Sequence, residues 1–136
     1  MIVIDASLLL GRLLAEPVAL AAVAEATAAA PGEPMHAPEL IELEVLQALR
    51  RLVRVAAVGE REARVALDDL EDTRLERHGH GALRERVWEL RHRLTAHDAA
   101  YVVLAERLDA DVLLTGDRGM AAVARDLLGA GRVLHC

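Results

Sequence analysis

Lysine, asparagine and phenylalanine are absent from this 136-residue chain, and cysteine occurs once, as Cys136. Without lysine there is no P-loop, whose GxxxxGK[ST] signature sets a lysine on the nucleotide phosphates. Phosphoryl-transfer folds that use a strand-end aspartate fail on the same ground, because they hold a lysine beside the phosphoryl group. Phosphatases of the haloacid dehalogenase type also need an acid two positions after the nucleophile, where this chain has Ser7. A single cysteine excludes an intrachain disulfide and suits a reducing cytoplasm. No apolar run is long enough to span a bilayer. The first residues lack the basic region of a signal peptide, and Asp5 interrupts their apolar stretch. The expectation is a cytoplasmic protein with no membrane contact. Aromatics are nearly absent too: Trp88 and Tyr101 are the only two large ones. Both lie on apolar helical stripes and are expected in the core rather than as base-stacking surfaces.

What is present is apolar and acidic. Hydrophobic residues make up 54% of the chain, too many for a disordered polymer, so a packed globule is expected. The length fits one domain over residues 1–136, burying about two-thirds of its unfolded surface. A net charge of −6 argues against a generic nucleic-acid coating protein. All sixteen basic residues are arginines, however, and the planar guanidinium suits bidentate contacts to phosphate. A GC-rich genome accounts for the same arginines, since Ala, Leu and Val abound with them. Arg50, Arg51 and Arg54 cluster on one helix, and Arg84, Arg86, Arg91 and Arg93 on another. Each cluster reads as a solvated face or as the wall of an RNA path.

Apolar, β-rich runs alternate with helical patterns along the chain. "IVIDA" reads as a first buried strand, "SLLLGRLLAE" as a helix, and Pro17 opens an alanine-rich helix through Ala30. "PGEP" (31–34) is a turn, "MHA" a brief second strand, and Pro38 suits the first turn of the helix "PELIELEVLQALRRLVRV". After Gly59 comes the amphipathic "EREARVALDDLEDTRL", then a weakly defined short strand within "LERHGHG". "ALRERVWELRHRL" and "AHDAAYVVLAERL" read as two helices, "DVLLTGD" as a second clear buried strand, "RGMAAVARDLL" as a helix and "RVLHC" as a closing strand. This alternation predicts an α/β fold with a short, mostly parallel sheet covered on both faces.

In such a fold, ligands bind beyond the carboxyl ends of the strands. Asp5 ends the first strand and Asp117 ends "VLLTGD", so both carboxylates belong to one rim. Asp5 is hard to explain otherwise, because an unpaired ionised carboxylate among Ile2, Val3, Ile4 and Leu8 is costly to bury. Asp98 shares a helical stripe with Tyr101, Val102 and Ala105, which points it toward the sheet. It equally fits a capping box in "TAHD", with Thr95 as N-cap. Asp117 equally fits a plain N-cap. A fourth acid lies on "PELIELEVLQALRR", but periodicity does not choose between Glu42, within the apolar face, and Glu44, at its edge. The histidines include the pair His78 and His80 in "HGH", but no cysteine pair accompanies them, and a structural zinc there is not expected.

Three stretches, "VIDASLLL", "PELIELEVLQALRR" and "TAHDAAYVVLAERLDADVLLTGDRGMA", resemble in order and spacing the PIN-domain proteins of the VapC toxin class. These are ribonucleases of bacterial toxin–antitoxin pairs. The resemblance implies a three-layer α/β/α sandwich and an acidic quartet at Asp5, Glu44, Asp98 and Asp117, selecting Glu44 over Glu42. It also implies Ser7 and Thr115 as hydroxyl partners of the metal shell, while Gly119 and Met120 stand where some PIN proteins carry a further acid. It further implies a Mg²⁺-dependent endoribonuclease, with Mn²⁺ as substitute, an RNA substrate, a small VapB-like antitoxin and a homodimer. The alternative is a PIN-like scaffold that has lost its chemistry and only binds a partner. Carboxylates about 4 Å apart repel by about 4 kcal/mol per pair at an effective dielectric near 20, and a hard divalent cation relieves that repulsion.

Overall fold

Ile2–Ile4, three residues buried on both faces, form β1, and the sheet extends from this strand on both sides, which decides where a site can lie. The computed structural model describes all 136 residues. From β1 the chain runs through α1 (Ala6–Leu13) and α2 (Pro17–Ala28) to β2 (Met35–Pro38). It continues through α3 (Ile41–Arg54) and α4 (Glu60–Asp72) to β3 (Leu75–His78). A short 3₁₀ turn, α5 (Arg84–Glu89) and α6 (Ala96–Arg107) lead to β4 (Val112–Thr115), and α7 (Arg118–Leu128) leads to β5 (Val133–His135). The sheet order is β3-β2-β1-β4-β5, and every pairing is parallel.

Strand order therefore grows outward from β1 on one side, then reverses and grows on the other. Right-handed crossovers put α1–α4 on one face and α5–α7 on the opposite face, giving three layers. The crevice where the order reverses lies beyond the carboxyl ends of β1 and β4. The core is continuous through all three layers and includes Ile4, Leu9, Ile41, Val45, Leu104 and Leu114. α6 is its central helix: Ala99 through Ala105 are all buried, so this helix is enclosed all round rather than on one stripe.

Several boundaries differ from those expected. Pro38 closes β2 instead of opening α3: its register partner is His78, and the proline is tolerated because the ladder bond there is made by Glu39 N–H, which donates to His78 O at 2.9 Å. α4 ends at Asp72, because Leu75 is drawn into β3 beside Met35. The stretch 82–94 is not one helix: α5 stops at Glu89, and turns carry the chain to Thr95. The weakly defined strand in "LERHGHG" is formed as β3. Tyr101 is in the core at 1% exposure, but Trp88 is not: it is 64% exposed, with the Arg91 guanidinium 4.7 Å over its ring. Because α5 is short and peripheral, the apolar stripe around Trp88 has no layer to bury it.

Candidate active site

Asp5 follows β1 directly, and its backbone N–H extends the ladder to Leu114 O at 3.0 Å. The chain then turns into α1, for which Asp5 is the N-cap, and the side chain is only 3% exposed. Three donors hold it. Oδ1 accepts from Ser7 Oγ at 2.7 Å and Leu8 N–H at 3.0 Å, and Oδ2 accepts from Thr115 Oγ at 2.6 Å. The hydroxyls are themselves fixed, since Gly116 N–H donates to Ser7 Oγ and Asp117 N–H donates to Thr115 Oγ, both at 2.9 Å. Gly116 is required by this crossing: a Cβ there would sit 2.8 Å from Ser7 Oγ and 3.1 Å from a Leu8 methyl.

The same turn after β4 makes Asp117 the N-cap of α7, with Oδ1 accepting from Met120 N–H at 2.6 Å. At the head of α6, Thr95 Oγ accepts from Asp98 N–H at 3.2 Å. The reciprocal bond of a capping box is not made, so the Asp98 carboxylate is left to the cleft. Glu44, half-buried in the first turn of α3, accepts at Oε2 from the Tyr101 hydroxyl at 2.5 Å. Glu42 turns the other way and pairs with Arg77 on β3.

Asp5, Glu44, Asp98 and Asp117 thus line one cleft of about 780 Å³, together with Ser7, Arg51, His97 and Tyr101. Arg50 and Arg54 do not reach it. The acids are near neighbours without being clustered: no three bring carboxylate oxygens within 4.8 Å of one another. Mutual repulsion among like charges favours that spread. Burial pushes the Asp5 pKa up, against the lowering effect of its hydrogen bonds to Thr115, Leu8 and Ser7. Burial likewise raises Glu44, with Tyr101 and His97 opposing and the charges of Asp5 and Asp98 adding to the rise. Tyr101 is held firmly protonated by burial and by the carboxylate it faces.

The donor set is all oxygen, and each hydrogen-bonded acid keeps acceptor capacity in reserve. Asp117 Oδ2 and Glu44 Oε1 are uncommitted, and Asp5 Oδ2 has a second lone pair. Such a set fits a hard divalent cation of the Mg²⁺ or Mn²⁺ type, which takes one to a few carboxylates and retains waters. Sequence reasoning missed the role of Tyr101 as more than core. The available signal was its position three residues after Asp98, since a buried tyrosine hydroxyl needs a polar partner.

A family model described as PIN domain matches residues 2–126 of the chain. Ribonuclease VapC1 of Mycobacterium tuberculosis is 47% identical over 88 residues, which cover 64% of this chain and 65% of that protein. Ribonuclease VapC9 of the same organism is 38% identical over 117 residues, 86% of each chain. Ribonuclease VapC12, also from M. tuberculosis, is 33% identical over 118 residues, covering 87% of this chain and 88% of its own length.

Proposed function

The chain belongs to the PIN-domain family and, within it, to the VapC proteins, and from that premise we propose that it is a divalent-metal-dependent endoribonuclease acting as the toxin of a toxin–antitoxin pair. The observation that carries the reading is the convergence of Asp5, Glu44, Asp98 and Asp117, from four separate segments, on one cleft at the switch point of the sheet. The similar proteins of M. tuberculosis are named ribonucleases, and RNA is the substrate class proposed here.

Asp5, Asp98 and Asp117 are the residues proposed to hold Mg²⁺, or Mn²⁺ in its place, with Glu44 at the side of the same site. A bound divalent ion supplies acidified water and neutralises charge at the scissile phosphate. Ser7 and Thr115 fix the Asp5 carboxylate in one orientation through their hydroxyls. Glu44 orients the attacking water and accepts its proton; its raised pKa makes it a better proton acceptor than an exposed carboxylate. Tyr101 holds Glu44 in place by donating to Oε2. Arg51, on the wall of the cleft, provides a bidentate contact for a flanking phosphate. Against a net charge of −6, this local cation gives an RNA strand an approach along α3.

A small antitoxin carrying an Arg or Lys inserted among these acids is the proposed inhibitor, because such a side chain replaces the charge of the cation. Leu43 and Leu46, 71% and 44% exposed on α3, offer apolar surface beside the cleft for the partner or for a second copy in a homodimer. The deciding experiment is cleavage of a labelled RNA in Mg²⁺ or Mn²⁺ by wild type and by Asp98→Asn. Cleavage by wild type alone, abolished by EDTA, supports the nuclease. A folded wild type that binds RNA or a partner but cuts nothing with either ion supports a binding-only scaffold.

A further inference from the structure

A second group of metal-binding side chains lies on β2 and β3, away from the four acids. His36 stands opposite Glu76 across this strand pair, and Pro38 stands opposite His78. Side chains two apart on a strand share a face, so His36, Glu76 and His78 project from the same side of the sheet. His36 Nδ1 lies 3.0 Å from His78 Nε2 and 3.8 Å from Glu76 Oε2. One donor atom from each residue falls within 4.8 Å of the other two. Ligand atoms about 2.0–2.1 Å from a tetrahedral zinc ion are separated by roughly 3.3 Å, so the imidazole pair is already near ligand spacing. Glu76, which is exposed, closes the remaining distance by side-chain rotation.

We propose that His36, Glu76 and His78 form a second metal site, taking a borderline divalent transition ion such as Zn²⁺ in preference to Mg²⁺. Two imidazoles and one carboxylate make a donor set that suits Zn²⁺, Co²⁺ or Ni²⁺, whereas Mg²⁺ selects oxygen. In the metal-free protein one of these two ring nitrogens carries an N–H and the other accepts it. For an ion to take both lone pairs, the donating ring moves its proton through solvent to its other nitrogen, so both ligands are neutral imidazoles and no net proton is released. Desolvation by the core already disfavours the charged form of His36. The exposure of Glu76 leaves the fourth position open to water. With the ion bound, the edge strand β3, of which only Leu75 is buried, is clasped to β2. His80 is not in the set: its Nε2 accepts from Leu40 N–H at 3.2 Å.

The test is calorimetric titration of Zn²⁺ into the full chain carrying Asp5→Asn, Asp98→Asn and Cys136→Ser. These changes silence the carboxylate cleft and the thiol beside His135. The expected result is one ion per chain, accompanied by the visible spectrum of tetrahedral Co²⁺ when cobalt is used. His78→Gln in the same background should weaken binding at least tenfold, and His80→Gln should leave it unchanged. His36 is 7% exposed, and its substitution risks the fold; His78 is half-buried at the sheet edge, and circular dichroism of His78→Gln reports whether folding is retained. Affinity unchanged in folded His78→Gln, or no Zn²⁺ bound by the parent variant at micromolar concentrations, overturns the site. Neither result bears on cleavage in Mg²⁺, which depends on other residues.

Discussion

Substituting Glu44 and Glu42 separately by Gln tests the assignment of the cleft most directly, because the two residues are one turn apart at most and have opposite surroundings. Glu44 accepts from the hydroxyl of Tyr101, which is 1% exposed. Gln retains an acceptor oxygen for that hydroxyl, so the loss is the difference between a charge-assisted and a neutral hydrogen bond, about 1 kcal/mol. Removing a half-buried charge near Asp5 and Asp98 offsets that loss, and the net stability change should lie within about 1 kcal/mol. Glu42 pairs with Arg77 where both side chains are about a third exposed, at 36% and 33%. A screened pair of this kind contributes about 0–1 kcal/mol. Both variants should therefore melt within about 5 °C of wild type. Activity should separate them: RNA cleavage in Mn²⁺ falls about 10²–10⁴-fold in Glu44→Gln, the range for a lost proton acceptor, and stays within about twofold in Glu42→Gln. Glu44→Ala is a further control. It leaves the Tyr101 hydroxyl unpaired at a cost of about 1–3 kcal/mol, which Tyr101→Phe in the same chain should largely restore without restoring cleavage. Substantial cleavage by Glu44→Gln, or its loss in Glu42→Gln, refutes the reasoning.

Mn²⁺ or Mg²⁺ at about a hundredfold over Kd should stabilise the protein by about 2.7 kcal/mol, read as a rise in melting temperature that EDTA reverses and Asp5→Asn abolishes; an equal rise in that variant would place the ion elsewhere. Burial raises the pKa of both Asp5 and Glu44, so the stability they contribute is full below the ordinary carboxylate range and is lost as pH rises through their raised values. In EDTA, the urea midpoint of Asp5→Asn relative to wild type should therefore improve as pH rises above the ordinary carboxylate range, whatever constant offset the amide introduces; a flat difference counts against it. Gly116→Ala should lower both stability, by about 1–3 kcal/mol, and cleavage, because its Cβ displaces the Ser7 hydroxyl from Asp5. Expression of the wild-type chain without an antitoxin should arrest growth and Asp5→Ala should relieve it; harmless expression of folded wild type would favour the scaffold reading.

Local pattern was enough for the parallel α/β class, because strands buried along all or most of their length, such as Ile2–Ile4 and Val112–Thr115, leave continuous apolar runs with no polar alternation. It also marked Asp5 as anomalous in an apolar run, although the structure gives this carboxylate an ordinary role too, as the N-cap of α1 accepting from Leu8 N–H. The helix boundaries were less legible. Pro38 has the local character of a helix start, and only pairing with His78 across 40 residues makes it the end of a strand. The identity of the fourth acid was not a local property at all: Glu42 and Glu44 differ in the partners that face them, Arg77 on β3 and Tyr101 on α6, and those come from distant segments. Trp88 shows the converse, an apolar stripe that the sequence places inward and that the layers leave outside, because α5 lies where no further element packs over it. The pairing of His36 with His78 belongs to the same class. In the sequence His78 stands beside His80, but parallel register sets it against a histidine 42 positions earlier. Burial and chain direction follow from the order of residue types; which side chains share a site follows from how strands register and helices pack, and no window along the chain contains that.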